Sequence, residues 1–189
     1  MIIRPRIIYV VRLGDVEIEH LTVISESLQE HFGLEAKIIE NRMILPCALD
    51  AARKQYNSNL ILKKLLEILP ADALKILGVT NFDLFSPIFS YVFGEAQFGG
   101  KSAVISTFRL RGNPAGKIPR GCPPLTDRIE KEALHELGHT FGLRHCADPD
   151  CVMHYSLGVQ CADRKFAFFC SACRETMVWH MATDFFLKV

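Results

Sequence analysis

The chain predicts an α/β (α+β) domain with a twisted, mostly parallel sheet, an antiparallel edge strand, and helices packed around it. Three observations carry that expectation. Apolar strand-like and helix-like segments alternate through the first eighty residues, the pattern of parallel strands joined by helical crossovers. A histidine-bearing amphipathic helix follows a Gly- and Pro-rich loop. The stretch after it is irregular and cysteine-rich, and it ends in a last helix.

In order, residues 2 to 11 are rich in Ile and Val, as in a buried strand, and residues 15 to 32 place Val16, Ile18, Leu21, Ile24, Leu28 and Phe32 at helical spacing before Gly33. Leu34 to Ile39 reads as a second strand. Leu60 to Leu69 reads as a helix that stops before Pro70. Strands are expected near Leu74 to Thr80, Ser90 to Phe93 and Ser102 to Leu110, the last two as a hairpin through Gly94 to Gly100. Gly112 to Pro124 is a loop. Asp127 looks like a capped helix start, with Ile129, Ala133, Leu137 and Phe141 on one face, and Ser171 to Phe186 forms the final helix. A single domain over residues 1–189 follows, with an upper lobe to about 142 and a smaller lower lobe from about 143.

Composition narrows the function. The 189 residues are 49% apolar and 23% charged, with a formal net charge of +1, so no basic stripe predicts a nucleic-acid partner. No run is long and apolar enough to cross a bilayer, and the start lacks the pattern of a signal peptide. The expectation is a cytoplasmic monomer with no nucleic-acid or membrane partner. In a reducing compartment the seven cysteines are better used as metal ligands than as disulfides.

The chemistry is concentrated in His135-Glu136-Leu137-Gly138-His139-Thr140-Phe141-Gly142-Leu143-Arg144-His145. Residues four apart share a helix face, so His135 and His139 can present two imidazoles to one ion. Gly142 permits a sharp turn, and His145 can return as third ligand. Three histidines leave an open zinc position for water, and Glu136 is the candidate general base for peptide hydrolysis. Cys146, Cys151, Cys170 and Cys173 read as a second, structural zinc site, the other reading being buried free thiols.

The extended histidine motif is the metzincin signature. Its union with Cys146-x4-Cys151-x-Met153 and Cys170-x2-Cys173 resembles the archaemetzincins. That resemblance implies a zincin-like, two-lobed protease with two zinc ions per chain and a peptide or protein substrate. It makes Met153 the methionine of the turn beneath the catalytic zinc. Met153-His154-Tyr155 also resembles the corresponding astacin turn, where the tyrosine steadies the transition state; a packed aromatic is the other role for Tyr155. In metzincins an edge strand binds peptide by strand addition, and Tyr91, Val92, Phe93, Gly94, Glu95 and Ala96 are the candidate rim, or a plain edge strand. Pro119 to Cys122 has the composition of a cysteine switch with Gly and Cys inverted, and Cys122 is poorly placed to cap the zinc. A zinc-binding structural or protein-interaction module with little turnover is the alternative function, and Glu136 speaks against it. An acidic cluster able to hold a free amino terminus would favour an aminopeptidase over an endopeptidase.

Overall fold

The computed structural model describes residues 7–40, 45–112 and 122–186, with side chains of the last helix to 182. Strand β1 (Ile7–Leu13) is buried along almost its whole length, as a strand covered on both faces must be. Helix α1 (Ile18–Phe32) returns along the sheet on Leu21, Ile24, Leu28 and Phe32 and ends at Gly33, whose φ of 63° is the left-handed conformation that suits glycine. Strand β2 (Glu35–Ile39) follows. Two short strands, β3 (Leu49–Asp50) and β4 (Gln55–Asn57), precede helix α2 (Ser58–Glu67), which Asn57 caps by accepting from the Leu60 N–H. Next come β5 (Ala73–Thr80), β6 (Leu84–Ser86), β7 (Phe89–Val92), β8 (Gly94–Ala96), β9 (Ser102–Ser106) and the single-turn helix α3 (Thr107–Leu110). Helix α4 (Leu125–Thr140), the short α5 (Val159–Arg164) and α6 (Ser171–Phe186) complete the chain.

The main sheet has the order β2-β1-β5-β9-β8, parallel throughout except for β8, which pairs antiparallel with β9 at the edge. Side chains from α1, α4 and residues 151 to 177 share one apolar core on one face, while α2 closes a second core on the other. The first core runs without a break from Ile8 and Leu134 to Met153, Phe169 and Met177, so it joins the expected upper and lower parts.

The structure corrects the expected hairpin. Its arms are Gly94–Ala96 and Ser102–Ser106, in the register Gly94↔Ile105. The segment before Gly94 belongs to a separate four-stranded sheet, β3-β4-β6-β7, in which Phe89 pairs with Ser86. The chain bends at Phe93, which packs into the core beneath α1 and α4 while Val92 packs against the other core. The candidate rim, Tyr91 to Ala96, is therefore two strands of two sheets. The strand expected to reach Leu110 stops at Ser106, because its hydroxyl accepts from the Phe108 N–H at 3.1 Å and starts a helical turn. Helix α4 begins at Leu125 behind Pro124. Asp127 thus lies in the first turn, where the helix dipole favours an acid, and is not the cap. The expected strand residues 2–6 and most of the Gly- and Pro-rich loop lie outside the described residues.

Candidate metal centre and cleft

Helix α4 places His135 and His139 one turn apart with their Nε2 atoms 3.2 Å from each other. The Nδ1 of His135 lies 2.8 Å from the Val152 carbonyl, and the Nδ1 of His139 lies 2.7 Å from the Leu143 carbonyl. A carbonyl can only accept, so each Nδ1 carries the proton and each Nε2 presents a lone pair. Gly142, with φ 83°, turns the chain out of α4, and the His145 ring comes within 5.3 Å of His135 and 5.0 Å of His139, centroid to centroid. The three candidate ligand atoms lie within 4.8 Å of one another. For zinc–nitrogen bonds of about 2.0 to 2.1 Å, tetrahedral ligands stand about 3.3 to 3.4 Å apart, close to the separation of the first pair. Lone pairs that face each other at 3.2 Å repel unless a cation lies between them. The donor set therefore fits zinc. Burial holds all three imidazoles below their ordinary pKa, His135 farthest, with neighbouring cationic groups acting the same way. The site is neutral, as metal ligation requires.

Glu136, one residue along the helix, is buried at the cleft floor. Burial pushes its carboxyl well up, the neighbouring Glu132 carboxyl and Glu95 add to the rise, and Lys165 opposes it. Gly94 lies across from it: a Cβ there would come 2.6 Å from the Glu136 Cγ and 2.9 Å from the Val104 carbonyl oxygen. Glycine is what allows the edge strand to pass this close. Glu132 and Lys165 line the same cleft, and sequence reasoning missed both. Glu132 could have been found, being one helical turn before Glu136. Lys165 gives no such signal, since its side chain is buried after a short helix that periodicity did not reveal.

Met153 is fully buried beneath α4, so close that a Cβ on Gly138 would stand 2.5 Å from its sulfur. The Tyr155 ring is 4.9 Å from that of His145 and lines the cleft. All six rim residues, Tyr91 to Ala96, line it too, in a cavity of about 480 Å³. Cys122 instead lies beside Arg128, in the first part of α4.

The four cysteines also converge. Their sulfurs lie within 4.8 Å of one another, and those of Cys146 and Cys170 are 3.7 Å apart. That is far beyond a disulfide bond of about 2.05 Å, and it matches the edge of about 3.8 Å expected for tetrahedral thiolates about 2.3 Å from zinc. The Cys170 N–H donates to the Cys151 sulfur at 3.4 Å. Burial raises the Cys151 and Cys173 thiols, while the Cys173 N–H lowers Cys170. The two clusters touch through the backbone: Cys146 follows His145, and its N–H donates to the Met153 carbonyl at 3.0 Å.

The sequence model of Peptidase family M54 matches residues 17–178. The chain belongs to that family. It is similar to the archaemetzincin of Archaeoglobus fulgidus, 38% identical over 151 residues that cover 80% of this chain and 86% of the relative. The archaemetzincin of Methanocaldococcus jannaschii is 38% identical over 165 residues, covering 87% and 89%. Among solved structures, the archaemetzincin of Methanopyrus kandleri superposes with a TM-score of 0.79 at 32% identity, covering 95% of this chain and 96% of that one. The A. fulgidus protein complexed with malonate gives 0.77 at 36% identity, covering 90% and 99%. The archaemetzincin resemblance and the zincin-like fold are thus borne out, and the chain is a zinc metallopeptidase. No described helix is long and apolar enough to cross a membrane.

Proposed function

We propose that His135, His139 and His145 hold a catalytic zinc and that Glu136 is the general base of peptide-bond hydrolysis. The observation that supports this most is the pair of facing Nε2 lone pairs at 3.2 Å, each fixed by an Nδ1 proton committed to a carbonyl. Zinc bound there supplies Lewis acidity, lowering the pKa of water to about 7 and polarising the scissile carbonyl. Glu136 takes the proton of the attacking water on its carboxylate and returns it to the leaving amine. The burial that raises its pKa makes it a stronger base than an exposed carboxylate, as a group that takes a proton from water needs. The free edge of β8 offers its backbone to the substrate as an added strand, within the wider rim from Tyr91 to Ala96. Tyr155, beside His145, steadies the developing oxyanion.

Met153 packs beneath the histidines and fixes the floor of the site. Cys146, Cys151, Cys170 and Cys173 hold a second, structural zinc, which makes two zinc ions per chain. The continuous core supports a single domain whose lower lobe, from about 143, this second ion staples. All seven cysteines are free of disulfides, which suits a cytoplasmic protein, and we take it to act as a monomer on peptides or proteins. One observation favours aminopeptidase action over internal cleavage: Glu95, half-buried on the rim and hydrogen-bonded to Ser58, lines the cleft together with Glu132, and these two carboxylates, apart from the base Glu136, are where a free amino terminus would bind.

A digest of a peptide library by wild type and Glu136→Ala tests the reading, with zinc content measured on both. The variant keeps its zinc and loses hydrolysis. Equal cleavage by the two would refute the mechanism, and blocked amino termini on the library separate the two modes of cleavage.

A further inference from the structure

We infer that Arg144 and Phe98 form a carboxylate-binding subsite at the end of the cleft beyond His139, taking an acidic side chain or the free carboxyl terminus of a peptide substrate. The inference rests on the peptidase reading above and deepens it. Beside the main cavity lies a more open recess lined by Phe98, His139, Arg144 and His145. Phe98, His139 and His145 line the main cavity as well. The two are therefore one continuous cleft, which Arg144 extends past the histidines.

The Arg144 side chain is exposed, and among the described residues it makes no hydrogen bond and no ion pair. Its guanidinium carbon stands 5.8 Å from the centroid of the Phe98 ring, within cation–π range. All the N–H donors of the planar fork remain for a ligand, and a carboxylate is the group that this fork matches with two parallel hydrogen bonds. The acids that follow in the chain are turned to their own loop: the Asp150 N–H donates to the Asp148 carboxylate at 3.0 Å. Phe98 is 58% exposed and gives the recess an apolar wall.

Backbone hydrogen bonds tie both halves of the recess to the second helical histidine. The Gly99 N–H, next to Phe98, donates to the His139 carbonyl at 2.9 Å. The buried Lys75 ammonium donates to the Gly100 and Thr140 carbonyls at 2.7 Å each, clamping the same turn to the end of α4. On the other side, the Leu143 carbonyl accepts from His139 Nδ1 at 2.7 Å, and Arg144 comes next, directly before His145. A carboxylate gripped here is thus held at a fixed distance from the histidines. Extended peptide advances about 3.3–3.6 Å per residue, so that carboxylate belongs to a residue within about three positions of the scissile bond.

The other charges of the cleft are already matched. Lys165 acts on Glu136 together with Glu132 and Glu95, and all four line the main cavity. Behind the rim, Arg109 is gripped by Asp83 at 2.6 and 2.7 Å, and Arg53 donates to Gln55 and to the Ser90 carbonyl. Among the described residues that line the cleft, Arg144 is the cation without an acid beside it.

The test is calorimetric binding to the zinc-loaded Glu136→Ala protein. Short peptides with a free amino terminus and an amidated carboxyl terminus carry glutamate or glutamine at each position in turn. A neutral peptide is also compared with its carboxyl terminus free and amidated. Glutamate at one position, or the free terminus, binds about five-fold tighter, the upper end of the scale for an exposed ion pair. Which arm shows the preference tells the two sources of carboxylate apart. Salt at about 1 M, where the screening length is about 3 Å, shrinks it. Arg144→Gln abolishes it with zinc content unchanged, and Arg144→Lys, which keeps the charge without the fork, retains part of it. Equal affinity throughout, binding by no peptide, or a preference that survives high salt or Arg144→Gln overturns the inference. The peptidase reading is judged separately: wild type that cleaves these peptides while no carboxylate preference is found leaves that reading standing and refutes the subsite, whereas a clear preference without wild-type cleavage does the reverse.

Discussion

The two ligand clusters are neighbours in space and opposites in construction. The histidine cluster is assembled on a regular helix, and each of the two helical imidazoles is aimed by a hydrogen bond from its far nitrogen to a backbone carbonyl, Val152 or Leu143. It opens into the cleft. The cysteine cluster comes from loops and the start of α6, and its sulfurs are organised by one another and by a backbone N–H, with no regular element beneath most of them. A site that must admit a substrate keeps a face open and so needs an outside scaffold to orient its ligands. A site that must only hold the chain together can let the ion be the scaffold. On the proposed second site, the loops after His145 have little secondary structure because coordination would set their conformation.

The largest effect that would break or confirm this contrast is expected at the cysteines. If the cysteines hold zinc as proposed, replacing Cys170 and Cys173 by serine removes thiolates whose metal-binding free energy is folding free energy, on the scale of the ~5–15 kcal/mol that stabilises a whole domain. The variant should melt far below wild type and lose activity with its fold, because Cys146 adjoins His145. A wild-type melting curve with one zinc lost would show the site to be dispensable. Next comes Glu136→Ala, which should lower turnover by about 10²- to 10⁴-fold, the usual worth of a general base, with melting and zinc content near wild type. A third effect, of about 3 kcal/mol, is expected for Arg128→Met. It strands Asp163 of α5, which the buried guanidinium grips with contacts of 2.6 and 2.7 Å, and removing one partner of a buried pair is costly. This should loosen the lower part without touching either ligand set, as seen by urea unfolding with unchanged zinc content.

Acid sharpens the comparison differently. Imidazoles with folded pKa values below the ordinary 6.5 bind fewer protons in the native state than in the unfolded one. Stability from the neutral histidines is therefore full above about pH 6.5 and is lost as pH falls through the lowered values. Zinc release from the histidine site should have its midpoint below pH 6.5, followed by loss of activity on titration. The smallest effect is a control: Lys64→Ala removes a surface pair with Glu67 and should leave melting, zinc and turnover unchanged.

Much of this was legible in the sequence, for identifiable reasons. Strand β5 and helices α1, α4 and α6 announce themselves because each repeats its apolar residues over two or more turns or a full buried run, and Gly33 and Gly142 stand where the backbone is left-handed. The histidines and cysteines were legible as sets because their spacing in the sequence is that of metal ligands, and the fold brings each set together. The small sheet was not, since strands of two to four residues are too short for a period of two to register. The bend at Phe93, which splits the rim between two sheets, depends on two cores on opposite faces of a sheet and has no local signature. Lys165 is the clearest limit: its role beside Glu132 and Glu136 is set wholly by the fold.

The account turns on two zinc sites of different kind in one chain, and zinc-edge X-ray absorption on the metal-replete protein tests that most directly. It predicts an averaged first shell of about two sulfurs at ~2.3 Å and about two nitrogen or oxygen neighbours at ~2.0–2.1 Å per zinc, the mean of a four-thiolate site and a three-imidazole site with one open position. A first shell of sulfur alone, or of nitrogen and oxygen alone, would contradict it.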